Sequence, residues 1–269
     1  LKLKNKDGVA RAYNNISGVY SLKNDFFKAI EYQLRSIKLK EEIGDDHSLA
    51  VSYENLGKIY SDQKNSLKAL DYFFLAYKIN SSFKDTAGIT YDYLSIGNEY
   101  FVKNRLDLAK QYLDKALNLK INQKIIDKET ADIYNRLGDL YSETEDLKSS
   151  LKLYTTALYI NQKLNNRRNV SINYFNIGTL LLKVGKYEES KRYLIDCKKI
   201  AIEINDLDLL SDVYEKLMLT YEKTGILHEA LNYSKLYNDS KNKMITLNNY
   251  EKLNELGIKY ETEKKEKEI

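Results

Sequence analysis

Apolar and polar positions follow a helical period along the chain, and the pattern itself recurs. A tyrosine (Tyr13, Tyr53, Tyr93, Tyr134, Tyr174 or Tyr214) is followed three residues on by Ile16, Leu56, Ile96, Leu137, Ile177 or Leu217. Seven residues on comes Tyr20, Tyr60, Tyr100, Tyr141, Leu181 or Tyr221. These spacings set the side chains on one helix face. Between them falls a reference position: Ser17, Gly57, Gly97, Gly138, Gly178 or Met218. The unit therefore returns every 40 or 41 residues, the mark of a helical-repeat array.

Twelve residues past the reference stands a small residue, Ala29, Ala69, Ala109, Ser150, Ser190 or Ala230. Glycine inside a helix costs about 1 kcal/mol relative to alanine, so close packing of two helices has to compensate. The spacing predicts six antiparallel pairs, 9–22 with 25–43, 47–63 with 66–83, 86–103 with 106–123, 127–144 with 147–165, 168–184 with 187–204, and 207–224 with 227–242. Asn24, Asn104, Gly185 and Gly225 suit the left-handed residue of the tight turns. The polar connections Gly44-Asp-Asp46, Lys84-Asp85, Asn165-Asn-Arg-Arg168 and Asn205-Asp206 offer Asp or Asn as helix N-caps.

These residues resemble the tetratricopeptide repeat (TPR): an aromatic, Leu-Gly, Tyr, then Ala, aromatic and Ala over two antiparallel helices. The resemblance covers residues 9–240. It departs from the family in having no proline and a longer period. It implies an all-α, right-handed α-solenoid of about six hairpins, with first helices lining a concave groove. Three segments are expected: 1–8 as the end of a preceding repeat, 9–243 as the solenoid, and 244–269 as a capping and charged helix. The chain reads as a fragment of a longer protein. Met218 should force the last hairpin slightly apart.

Composition narrows the function. With 43 basic and 39 acidic residues mixed along the chain, no basic stripe points to nucleic acid. No apolar run is long enough to span a membrane. The single cysteine, Cys197, falls at a small inward position and reads as a buried thiol. His47 and His228 lack metal-ligand spacing partners, and no phosphate loop or nucleophile constellation is present. The expectation is a non-enzymatic chain without cofactor or metal.

What remains is a surface. The positions just outside the first-helix stripe carry Asn15, Asn55, Tyr91, Leu94, Asn98, Phe101, Asn135, Phe175, Asn176 and Leu182. A carboxamide can pair with both groups of a peptide bond, and an apolar patch in a wet groove marks an interaction site. These ten residues are the candidate contacts for a peptide or protein segment. The family's carboxylate clamp is not matched in spacing.

The segment Lys259–Glu268 resembles the stretch that follows TPR arrays in Bacteroidetes-type membrane-bound regulators, which lead into a histidine kinase or DNA-binding output. That resemblance implies a sensor in an extracytoplasmic (periplasmic) region, with a cytoplasmic scaffold or peptide-responsive regulator as the alternative. The mixed-charge run itself suits a solvated helix or the start of a coiled coil, and with the latter a dimer through the charged C-terminal helix.

Overall fold

The computed structural model describes the backbone of residues 2–267, and the side chains of 6–247, 249, 250, 253, 256 and 257. The chain forms two compact units, residues 1–145 and 146–269. The first contains α1 (Lys2–Leu22), α2 (Phe26–Ile43), α3 (Asp46–Asp62), α4 (Ser66–Phe83), α5 (Thr86–Val102), α6 (Leu106–Asn122) and α7 (Lys128–Glu143). The second contains α8 (Leu147–Lys163), α9 (Arg167–Lys183), α10 (Tyr187–Glu203), α11 (Leu207–Lys223) and α12 (Leu227–Lys267). Among the described residues all regular structure is helical, and no helix is long and apolar enough to cross a membrane.

Local signals set the helix ends. Asp25, Asp45, Asn65, Asp85, Asp127, Asp146, Asn166 and Asp206 each accept a backbone N–H of the first turn, satisfying donors that have no partner inside the helix. Arg105 and Lys186 hold the same position without a side-chain cap. The turns close through left-handed residues. The expected Asn24, Asn104, Gly185 and Gly225 all have positive φ, and so do Gly44, Lys64, Lys84, Lys124, Glu145, Asn165 and Asn205.

Two boundaries differ from expectation. Residues 2–8 are continuous with α1, and Gly8 lies inside that helix. The second helix of the last hairpin runs on through residue 243 as the single helix α12, with no glycine between Gly225 and Gly257 to turn the chain. On its outer part Ile245, Leu247, Tyr250, Leu253 and Leu256 are exposed.

Within a hairpin, the repeated glycine opposes a large side chain, where the small residue twelve positions on was expected. A Cβ at Gly97 would stand 2.9 Å from Leu113 Cγ, and one at Gly178 would stand 2.8 Å from Leu194 Cγ. At Gly57 it would meet the Phe73 ring at 2.7 Å. The glycine makes room for the apolar residue sixteen positions later, and the alanine or serine lets the two backbones converge beside it. Ser190 Oγ donates to Gly178 O at 2.7 Å, and Ser17 Oγ to Ala29 O at the same distance. Leu113 and Leu194 are fully buried, as is Cys197.

Candidate functional site

The first-helix stripe of the first unit carries a carboxamide cluster. Asn14 on α1 and Asn55 on α3 lie just outside the apolar stripe of their helices, and Gln33 on α2 meets them from the inward position that Phe73, Leu113 and Leu194 hold in other copies. Asn14 Oδ1 accepts from Gln33 Nε2 at 3.0 Å and from Asn55 Nδ2 at 2.9 Å. Gln33 Nε2 also donates to Ser52 O at 3.0 Å. Gln33 is 1% exposed, and its Oε1 is buried with no partner. A cavity of about 460 Å³ opens over the cluster, lined by Asn14, Asn15, Gly18, Gln33, Asn55 and Lys58, among others. At Gly18 an added Cβ would meet nothing within 4 Å, so the floor is open. Of the expected contacts, Asn15 and Asn55 meet here.

The apolar part of the expected surface lies elsewhere. Leu94 is 9% exposed and belongs to the packed interior, so it presents no open patch. Tyr91 packs against the cluster built on Leu56, Phe73 and Ile96, and burial pushes its hydroxyl up to about 12. Phe175 packs on Leu194, Cys197, Val213 and Leu217. Asn98, Phe101, Asn135, Asn176 and Leu182 are half-buried. Asn98 Oδ1 is buried without a partner, and so is Thr179 Oγ1 at the same repeat position in the second unit. Cys197 sits at a buried position, and burial raises its thiol to about 12, which keeps it protonated.

Two regularities escaped the sequence reading. The first is a polar pair at the junctions between hairpins, formed by residues twelve apart. Lys40 Nζ donates to Ser52 Oγ at 2.7 Å and to Ser48 O at 2.8 Å. Asn80 Nδ2 donates to Asp92 Oδ2 at 2.8 Å and to Glu54 Oε1 at 3.0 Å. Asn161 Nδ2 donates to Asn173 Oδ1 at 2.8 Å. Lys120, at the matching position, binds Asp127 at 2.8 Å and Glu129 at 2.5 Å. Burial lowers the Lys40 pKa, since its acceptors are neutral. Burial also opposes the Lys120 charge, but its hydrogen bonds to Asp127 and Glu129 outweigh that and raise it. Burial pushes the Asp92 carboxyl up to about 8, although the Asn80 hydrogen bond works the other way. Gly88 is explained by the same junction, because a Cβ there would stand 2.5 Å from Asn80 Nδ2.

The second regularity is a third tyrosine, fifteen residues past the reference: Tyr32, Tyr72, Tyr112, Tyr193 and Tyr233. It packs between the two expected ones. Tyr32 stacks on Tyr20 at 5.5 Å and lies 5.8 Å from Tyr13. Tyr112 lies 5.6 Å from Tyr100 and 5.9 Å from Tyr93. Its spacing was the available signal.

A tetratricopeptide repeat family model matches residues 8–81 and 129–203, more than half of the chain, and a second tetratricopeptide repeat model matches residues 93–120. The chain belongs to the tetratricopeptide repeat family. No curated sequence matches this TPR chain significantly. Among solved structures it is similar to BtubC (BKLC) from P. vanneervenii, 16% identical, covering 91% of this chain and 92% of that one at a TM-score of 0.68. It is also similar to a signal transduction ATPase with a tetratricopeptide repeat sensor from Pyrococcus horikoshii. That match is 19% identical and covers 84% of this chain but 34% of that one, at a TM-score of 0.71. A Rap protein complexed with Competence and Sporulation Factor is 15% identical over 87% of this chain and 75% of that one, at a TM-score of 0.65. At these identities the likeness is one of fold: an all-α, helical-repeat solenoid of the kind that serves protein interaction.

Proposed function

We propose that the chain is a non-catalytic sensor or partner-binding module of a bacterial signalling protein, and that it takes an extended peptide segment against its first helices. The observation that carries this reading is the cavity over Asn14, Gln33 and Asn55. Gln33 Oε1 is an acceptor without a partner there, and leaving such a group unmade costs about 1–3 kcal/mol. Asn55 and Asn15 stand at the cavity to pair with a peptide group, and a rotation of the Gln33 amide toward the cavity gives its Oε1 a peptide N–H as donor. The solved Rap complex and the archaeal TPR sensor lend support by fold. The wording of residues 259–268 favours a membrane-linked regulator with dimerisation through the C-terminal helix. The Rap likeness favours the second reading, a peptide-responsive regulator without a membrane link.

Panning a library of random peptides on the chain tests the reading. Sequences retained by the native chain should be lost on Gln33→Leu or Asn55→Leu, with helicity by circular dichroism unchanged. Peptides retained equally by both variants would show that the cluster is not the binding site.

A further inference from the structure

The tyrosine groups carry their own cations. Arg35 lies over Tyr13 at 5.9 Å and over Tyr32 at 5.5 Å. Lys115, at the same repeat position, lies over Tyr93 at 5.5 Å and over Tyr112 at 4.7 Å. Seven residues earlier in the repeat, Lys28 lies over Tyr20 and Lys68 over Tyr60, each at 5.0 Å. From α10 of the fifth copy, Lys198 reaches across to the sixth, lying 5.2 Å over Tyr233 and donating to its hydroxyl at 3.0 Å. A cation within about 6 Å of a ring centroid is held by the ring's negative face.

The fifth copy inverts this arrangement. Tyr174 and Tyr193 keep the usual pairing at 5.9 Å, but among the described residues no cation lies over either ring. Where other copies have Arg35 or Lys115 there is Asp196, and where they have Lys28 or Lys68 there is Glu189. The tyrosine three residues past the reference, Tyr20 or Tyr100 in other copies, is replaced by the smaller, buried Leu181. The result is a cavity of about 380 Å³ lined by Tyr174, Tyr193, Glu189, Asp196, Arg192 and Gln162. Gln162 Nε2 donates to the Tyr174 hydroxyl at 3.3 Å and steadies the ring. Glu189 pairs with Lys186 at 3.1 Å and Asp196 with Lys199 at 2.9 Å, both solvent-exposed pairs of the weak, exchangeable kind. Arg192, between the two carboxylates on α10, stacks on neither ring.

We infer that this cavity is a receptor for an organic cation, the guanidinium or ammonium of an arginine or lysine side chain on a partner protein. That cation takes the place Arg35 and Lys115 fill from within the chain elsewhere. The rings hold its face and the two carboxylates hold its charge. The cavity shares no residue with the carboxamide cluster, so the two sites stand or fall separately.

Calorimetric titration of the full 269-residue chain tests this, with acetyl-Gly-Arg-Gly-amide as probe and its citrulline counterpart as the uncharged control. The arginine peptide should bind saturably and the citrulline peptide at least about tenfold more weakly. Asp196→Arg restores the internal cation and should abolish capture. Glu189→Gln, a gentler change, should weaken it, while Arg192→Gln should strengthen it by removing a like charge. Agmatine binding as tightly as the peptide would assign the site to free amines, and tighter peptide binding to a protein segment. Equal binding of citrulline and arginine, undiminished binding by Asp196→Arg in a folded chain, or weakening by Arg192→Gln would overturn the inference.

Discussion

Asn80 Nδ2 stands 2.8 Å from Asp92 Oδ2, while Asp92 Oδ1 lies buried without a partner. One carboxamide thus serves two carboxyls, Asp92 and Glu54, and burial raises the pKa of both. A folded-state value of about 8 against an ordinary 3.8 means that the folded chain binds a proton the unfolded chain has released. Stability therefore falls as pH rises from about 4 to about 8, and Glu54 acts in the same direction. Asp92→Asn keeps the acceptor for Asn80 and removes the charge. Thermal unfolding should show the variant more stable by roughly 2–4 kcal/mol at pH 8, with little gain at pH 4. An unchanged pH slope would place the titration elsewhere.

The glycines inside helices divide into two kinds. Gly97 and Gly178 face Leu113 and Leu194 near their branch points, which cannot swing aside. Alanine at either position should cost about 1–3 kcal/mol through overpacking. Shortening the opposing residue with Leu194→Ala should make the Gly178→Ala penalty shrink in a double-mutant cycle. Gly8 in α1 has nothing within 4 Å, so Gly8→Ala should stabilise by about 0.5–1 kcal/mol. Chemical denaturation measures all five variants, the double mutant included, and a penalty at Gly8 equal to that at Gly178 would contradict the packing account.

Lys40 and Lys120 occupy the same repeat position with opposite surroundings. Lys40 meets only neutral acceptors, so Lys40→Met exchanges a costly buried charge for apolar packing and should change stability by less than about 1 kcal/mol. Lys120→Met leaves Asp127 and Glu129 facing one another without their cation and should cost about 1–2 kcal/mol, moderated because both carboxylates reach solvent. High salt should shrink the second effect and leave the first alone.

Much of this fold is legible from spacing, because a helical face repeats its demands in every copy. Tyr53, Leu56, Gly57 and Tyr60 show where two helices meet, and Asn24 and Gly185 show where the chain turns. The junction polar pairs are hidden for a physical reason. Asn80 and Asp92 look like solvated residues until the next hairpin covers them, and only their twelve-residue separation distinguishes them. Lys64 and Glu145 adopt the left-handed turn conformation, yet neither type favours it, so their identity carries no such signal. The candidate surface was half legible. Asn15 and Asn55 line the cavity, whereas Leu94, read as an exposed apolar residue, is enclosed by its neighbours.

Those turns hold a reserve. Among the described residues, eight other than glycine bend the backbone to positive φ at helix ends, in conformations that side chains resist. Each bend is local to one loop between helices. Loop-by-loop replacement could therefore retune the thermal tolerance of such an array while every contact that recognises a partner stays as it is.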